Sequence, residues 1–250
     1  MAGHSKWKQI KRKKAVTDSR RASAWTKLIR EITVAAKAGG GDPDGNPRLR
    51  LAIDTAKEAN MPNVNIDRAV KKGTGELEGE TIVELAYEGY GPAGVAIYIE
   101  ATSDNPTRTV ADVRFAMSRN GGTLGASNSV SWMFDRKGQI TFDAAKIKNE
   151  DQALEDALEA GAEDFAKEGE VYIVSTAPFD VHPVMDALKK KGYLPDSGEV
   201  AMVPKNTIKV EGKDATQLIK LIEALEELDD VAKVFANFDM DADAMSEAEA

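Results

Sequence analysis

Apolar residues along the chain repeat first with a helical period and then, beyond a Gly/Glu-rich stretch at 73–80, with an alternating one. Trp25, Leu28, Ile29, Ile32 and Ala36 are spaced as one face of a helix, with Lys27, Arg30, Glu31 and Lys37 between them. They predict an amphipathic helix over 22–38, closed by Gly39-Gly40-Gly41. Asn46 followed by Pro47 reads as the cap and first position of a second helix whose buried stripe is Leu49, Ala52, Ile53 and Ala56. Met61-Pro62 stops it. A third, short helix is expected from a cap at Asn65 to Lys72, running into Gly73 with Lys71 and Lys72 at the negative end of its dipole.

Past residue 80, 82–88 and 95–102 predict a hairpin, and 105–120 a helix with Val110, Val113 and Met117 inward, ended by Gly121-Gly122. Strands are expected at 129–134 and 139–142, then a helix near 150–160, a strand at 171–175, a helix near 180–191 and a strand at 199–203. From 139 to 203 this order suggests an α+β sandwich of ferredoxin type. A strand at 207–210, a helix at 214–228 capped by Asp214 and a strand at 233–238 follow. Their stripe of Leu218, Leu221, Ile222, Leu225 and Leu228 is too apolar for two strands and a helix to bury alone. That stretch is therefore expected to complete the layer begun at 82–134, with the intervening unit as an insertion. The expected fold class is α+β and multidomain. Its parts are a basic arm (1–21), a helical domain (22–76), an α+β domain (77–135 with 206–238), an inserted ferredoxin-like α+β domain (136–205) and an acidic tail (239–250).

Charge sharpens this division. The first fourteen residues hold six Lys/Arg and no Asp/Glu, and residues 1–72 carry a net +10, on a chain whose formal net charge is −9. Residues 73–250 therefore carry −19, giving a basic head on an acidic body. Solubility does not call for such a head on an already charged body. It is the electrostatic footprint of a phosphate-backbone binder, set against the alternative of a solvated tail. There is no cysteine, which excludes disulfides, thiolate catalysis and Cys-type zinc sites and suits a reducing cytosol. The longest apolar runs, such as Val95–Ile99, are far too short to span a bilayer, so a cytoplasmic protein without a membrane partner is expected.

Candidate chemistry is sparse. Gly89-Tyr90-Gly91-Pro92-Ala93-Gly94 fits G-x-G-x-x-G, but a strand follows it where a dinucleotide site needs a helix, so a hairpin turn is the better reading. Asp239, Asp241 and Asp243 imitate the start of a calcium loop, yet Ala stands at 244 and 250 where Gly and Glu are required. The two histidines, His4 and His182, build no metal cluster or triad. No catalytic residue, metal, cofactor or small-molecule substrate is expected, and the chain reads as a non-enzyme.

The basic residues point instead to nucleic acid. Lys6, Lys8, Lys11, Arg12, Lys13 and Lys14 surround Trp7, whose ring either stacks on an unpaired base or packs on the helical domain. His4 and Ser5 belong to the same candidate contact. Arg20, Arg21, Lys27 and Arg30 continue it, with Arg48, Arg50, Arg68, Lys71 and Lys72 on the second and third helices and Asn105 and Arg108 as further contacts. The linkers are long and glycine-rich, unlike a helix-turn-helix, which favours shape and phosphate contacts over base-edge readout.

Met1-Ala2-Gly3-His4-Ser5-Lys6-Trp7, followed by Ile10-Lys11, Lys14 and Asp18, resembles the signature of the YebC family. The resemblance continues through Lys27–Ile32, Ala35-Ala36-Lys37, Gly39-Gly40, Asp42-Pro43, Arg48-Leu49-Arg50, Asn60-Met61-Pro62, Tyr87–Pro92, Arg108-Thr109 and Gly121–Gly125, over about residues 1–238. Departures are Trp25 for Phe, Val64 for Asp, Ala93 for Gly, Pro106 inside an Asp-Asn-x-x-Arg-Thr pattern, and Asn128 for Gly. The resemblance implies a helical amino-terminal domain and two α+β domains, the third inserted in the second. It also implies one of two roles: DNA-binding transcriptional regulation, or action on the ribosome that eases translation of proline runs. The absent groove-reading helix and the acidic body favour a ribosome-associated factor on ribosomal RNA, with a DNA-binding regulator as the alternative.

Overall fold

A computed structural model describes residues 18–79 and 81–241, with the side chains of 18–22 left aside. The chain is α+β and divides into two compact units, Asp135–Val203 and the remainder.

The remainder opens with three helices, α1 (Asp18–Gly39), α2 (Pro47–Glu58) and α3 (Asn63–Thr74). Their core is Ile32, Ala35, Ala36, Leu49, Ala52, Ala56, Met61, Ile66 and Ala69, with Trp25, Leu28 and Ile29 packed at its margin. Asn46 does more than cap. Its Oδ1 accepts the Leu49 N–H at 3.1 Å while its Nδ2 donates to the Ala35 and Gly40 carbonyls. One buried amide thus satisfies orphan groups at the end of α1 and the start of α2. Any Cβ at Gly39 would stand 2.7 Å from that amide.

The third helix differs from expectation at both ends. It starts at Asn63, after Pro62 rather than from a cap at Asn65, and it runs through Gly73 to Thr74, with Gly75 (φ 83°) as the left-handed cap. Gly73 is there for proximity. A Cβ at that position would lie 2.4 Å from the Thr33 carbonyl and 2.7 Å from Ala36 Cβ, so the missing side chain lets α3 lie close against α1.

Strands β1 (Val83–Tyr90) and β2 (Ala96–Ser103) form an antiparallel hairpin, with Tyr90 opposite Ala96 and Val83 opposite Ser103. The glycine-rich segment is the turn between them, as expected. Helix α4 (Pro106–Arg119) is capped by Asn105, whose Oδ1 accepts the Arg108 N–H, and Pro106 fits at its first position because that residue's missing N–H has no helical partner to lose. Val113 and Met117 are buried as predicted, joined by Thr109 and Ala116, while Val110 is only half-buried. β3 is Thr123–Leu124. The expected strand at 129–134 is absent. Residues 125–130 are a loop, 131–133 a single 3-10 turn, and extended backbone begins only at Phe134.

Beyond Pro204 come β8 (Ile208–Lys209), α7 (Gly212–Glu226), β9 (Val231–Ala236) and β10 (Phe238–Asp239). Asp214 is not the cap of α7. It lies inside the first turn, where its charge suits the helix dipole, and Glu211 holds the cap position without a side-chain bond. β9 adds to β2, giving the order β3-β1-β2-β9, and β10 pairs with β8. The core under this sheet joins Val95, Ile97 and Ile99 to Val113 and Met117 of α4 and to Leu218, Ile219, Leu221, Ile222 and Leu225 of α7. The packed chain extends past the expected start of the acidic tail, because Asp239 is in β10 and Met240 is buried in this core.

Unit 135–203 runs β4 (Phe134–Asp143), α5 (Glu150–Glu159), β5 (Asp164–Glu168), β6 (Val171–Thr176), α6 (Val181–Lys190) and β7 (Ser197–Pro204). The sheet order is β5-β6-β4-β7, the split βαβ arrangement of ferredoxin-like folds. Strand β5, Asp-Phe-Ala-Lys-Glu, is the element the periodicity does not announce, since it is a short, half-exposed edge. The chain enters by β4 and leaves by β7, which are neighbours, so the insertion has adjacent ends.

Candidate nucleic-acid interface

The nominated cations fall into three groups. His4, Ser5, Lys6, Trp7, Lys8, Lys11, Arg12, Lys13 and Lys14 lie outside the described residues, and Arg20 and Arg21 are placed only as backbone in the first turn of α1.

A second group carries charges already engaged. Arg48 donates to Glu31 through Nε and Nη2 and to Glu84 through Nη2 at 2.6 Å. Partial burial lowers its affinity for the proton, but the two carboxylates outweigh that and raise its pKa further. Arg50 pairs with Asp44 and donates to the Pro43 carbonyl, fixing the loop between α1 and α2. Lys27 reaches the Glu226 carbonyl.

Arg30 and Arg108 meet at one carboxylate. Asp230, at the turn leading into β9, accepts from Arg30 at 2.7 Å, from Arg108 at 2.8 Å, from Thr109 Oγ1 at 2.7 Å and from Ser103 Oγ at 3.1 Å. Burial alone would push its carboxyl up; these four donors outweigh burial and hold it at about 2. Arg30 also donates to the Thr102 and Asp229 carbonyls, while Arg108 extends to Asp104. The node ties α1 to the end of β2, the start of α4 and the start of β9. Asn105 serves here as the α4 cap.

The third group is unspent. Arg68, Lys71 and Lys72 on α3 are exposed, and among the described residues no carboxylate pairs with them. Lys37 is exposed in the last turn of α1, and its backbone N would stand 3.2 Å from a Cβ at Gly73. The carboxyl ends of α1 and α3 therefore bring Lys37, Lys71 and Lys72 to one region, where they also complement two helix dipoles.

Sequence reading overlooked Lys37 as a member of this group, although its position in the last helical turn is legible. It also passed over Trp132, which the expected strand at 129–134 concealed and which is 64% exposed. Among the described residues no helix is long and apolar enough to cross a membrane.

Comparison with known proteins gives a consistent family. Residues 5–76 match the family model of the TACO1/YebC protein N-terminal domain, and residues 82–238 that of the TACO1/YebC second and third domain. A protein of Gemmatimonas aurantiaca named probable transcriptional regulatory protein is 61% identical over 248 residues, covering 99% of this chain and all of the relative. One of the same name from Chlorobium luteolum is 54% identical over the full length of both. The crystal structure of a conserved hypothetical protein from Aquifex aeolicus is similar with a TM-score of 0.82 at 47% identity, covering 92% of this chain and 94% of that one.

Proposed function

Because the chain belongs to the TACO1/YebC family, we propose that it is a non-enzymatic, nucleic-acid-binding regulator of gene expression that acts in the cytoplasm with the ribosome. In this reading it lays residues 1–21, with the exposed cations of α3, along the phosphates of ribosomal RNA and eases passage through difficult, proline-rich segments. The observation that carries the nucleic-acid part is the segregation of charge, +10 over residues 1–72 against −19 over the rest. The engaged cations refine it: Arg30, Arg48, Arg50 and Arg108 shape and orient the head, whereas Arg68, Lys71 and Lys72 remain available to phosphate. An acidic body repels an extended duplex but leaves a basic head free to reach RNA, which favours the ribosome.

If residues 1–21 neutralise about six phosphates, affinity for single-stranded RNA falls by roughly 10² to 10³ between 50 and 200 mM salt, and deleting them abolishes most binding. A salt-independent affinity refutes the electrostatic account. Co-sedimentation with ribosomes at low salt, weakened by Trp7→Ala, supports the translation role. The name printed for the relatives favours a second reading, a DNA-binding transcriptional regulator. Tighter binding to a specific duplex promoter, without ribosomal association, selects it.

A further inference from the structure

The loop between β3 and β4 is built around a buried carboxylate. Glu88, on β1 and 6% exposed, accepts the backbone N–H of Asn128 at 2.8 Å, Val130 at 2.7 Å and Ser131 at 2.8 Å. Burial would raise its pKa, but the three backbone donors outweigh that and lower it. Val130 is fully buried beneath the loop, and Asn128 holds a left-handed φ of 65°. Lys205 closes the far side, its Nζ donating to the Trp132 carbonyl at 3.0 Å and its backbone N–H to that of Met133 at 2.9 Å.

All this order is spent on holding an indole in water. Trp132 is 64% exposed, and its Nε1 donates to the Ser129 carbonyl at 3.1 Å. The same carbonyl accepts the hydroxyl of Tyr90 at 3.0 Å, and Tyr90 is itself 38% exposed. Both rings thus have their polar atom satisfied from within, so what Trp132 offers outward is a bare π face on a fixed backbone. The chain just before it, Ala126, Ser127 and Asn128, is small or polar and exposed. A protein partner would be met by a contiguous apolar patch around such a ring. An indole whose Nε1 is already bonded, sharing that carbonyl with the half-exposed Tyr90 and with an ammonium bonded to the Trp132 carbonyl, matches instead a flat base flanked by sugar and phosphate.

We propose that the Glu88-braced loop presents Trp132 as a stacking platform for one unpaired base of single-stranded nucleic acid, a second contact distinct from the basic head. It rests on the nucleic-acid reading above. Pre-ordering matters because a ring already fixed loses little freedom on binding.

The test uses the full chain and labelled oligo(rU) and oligo(dU), with affinity read by anisotropy and stacking by the emission of Trp132 in a Trp7→Phe, Trp25→Phe background. The platform predicts quenching of Trp132 on binding, about a 5- to 150-fold weaker affinity for Trp132→Ala, near-wild-type affinity for Trp132→Phe, and an unchanged thermal midpoint for both. Stronger quenching by one oligomer identifies which sugar the site prefers. Tight binding by the parent chain with no quenching, and Trp132→Ala within twofold of it, overturns the platform and leaves the functional reading intact. No binding of either oligomer by the parent chain overturns both.

Discussion

Asp230→Asn tests whether a single carboxylate holds the head to the body. Its side chain is only 8% exposed, so solvent screens the interaction little. A carboxyl held at about 2 against an ordinary 3.8 contributes about 2.5 kcal/mol at pH 7. Because the folded-state value is the depressed one, that contribution is complete above about pH 4 and is lost as pH falls toward 2. At pH 3 the same two values leave about 1.3 kcal/mol. Breaking a buried ion pair often costs about 3–5 kcal/mol, but Arg30 keeps the Thr102 and Asp229 carbonyls and Arg108 keeps Asp104. The smaller figure therefore applies. Urea unfolding read by tryptophan emission suits the purpose, since Trp7, Trp25 and Trp132 all lie outside unit 135–203. The expected gap between parent and variant is about 2.5 kcal/mol at pH 7, roughly halved at pH 3. A gap below about 0.5 kcal/mol at pH 7, the range of an exposed pair, or one unchanged at pH 3, refutes the reasoning.

Three further outcomes are expected. Gly73→Ala forces α1 and α3 apart and costs about 1–3 kcal/mol in chemical denaturation; a cost below 0.5 kcal/mol means the close approach relaxes freely. Ala93→Gly relieves a residue held at φ 56° and raises stability by up to about 1 kcal/mol, the left-handed penalty less the entropy of glycine; a lower thermal midpoint contradicts this. Truncation after Asp241 removes Asp243, Glu247 and Glu249; if those charges compete for the basic head, nonspecific RNA affinity rises at low salt and the gain vanishes near 0.5 M, where the Debye length is only about 4 Å, while unchanged affinity leaves the segment as a solubility device.

The legible elements are those whose local pattern and tertiary role coincide. α7 carries six buried positions on one face, and the first five residues of β1 alternate half-buried with exposed, so both are read from spacing alone. Failures occur where a residue answers to a neighbour distant in sequence. Gly73 reads as a helix stop but is a contact surface for α1, and the stretch 129–134 reads as a strand because nothing local reveals that Glu88, forty residues earlier, consumes its N–H groups. The candidate interface divides in the same way. Counting cations finds Arg30, Arg48 and Arg108 together with Arg68 and Lys71, and only the carboxylates brought against the first three distinguish structural charge from available charge. Two departures from the family pattern, Ala93 and Asn128, both occupy left-handed backbone where glycine is expected, a strain invisible without dihedral angles.

The meeting of Arg30, Arg108 and Asp230 also sets a schedule. Synthesis proceeds from the amino end, and Arg30 precedes its carboxylate by 200 residues and Arg108 by 122. At about 5–20 residues per second, Arg30 waits roughly 10–40 s for that aspartate. The head can assemble its own core in that interval, and Arg48 can already reach Glu84 on β1, but the Asp230 contact is added only when β9 arrives. A nascent chain thus passes through a period in which the basic head is folded while Arg30 on α1, and Arg108 on α4 beyond its pair with Asp104, still wait for that carboxylate.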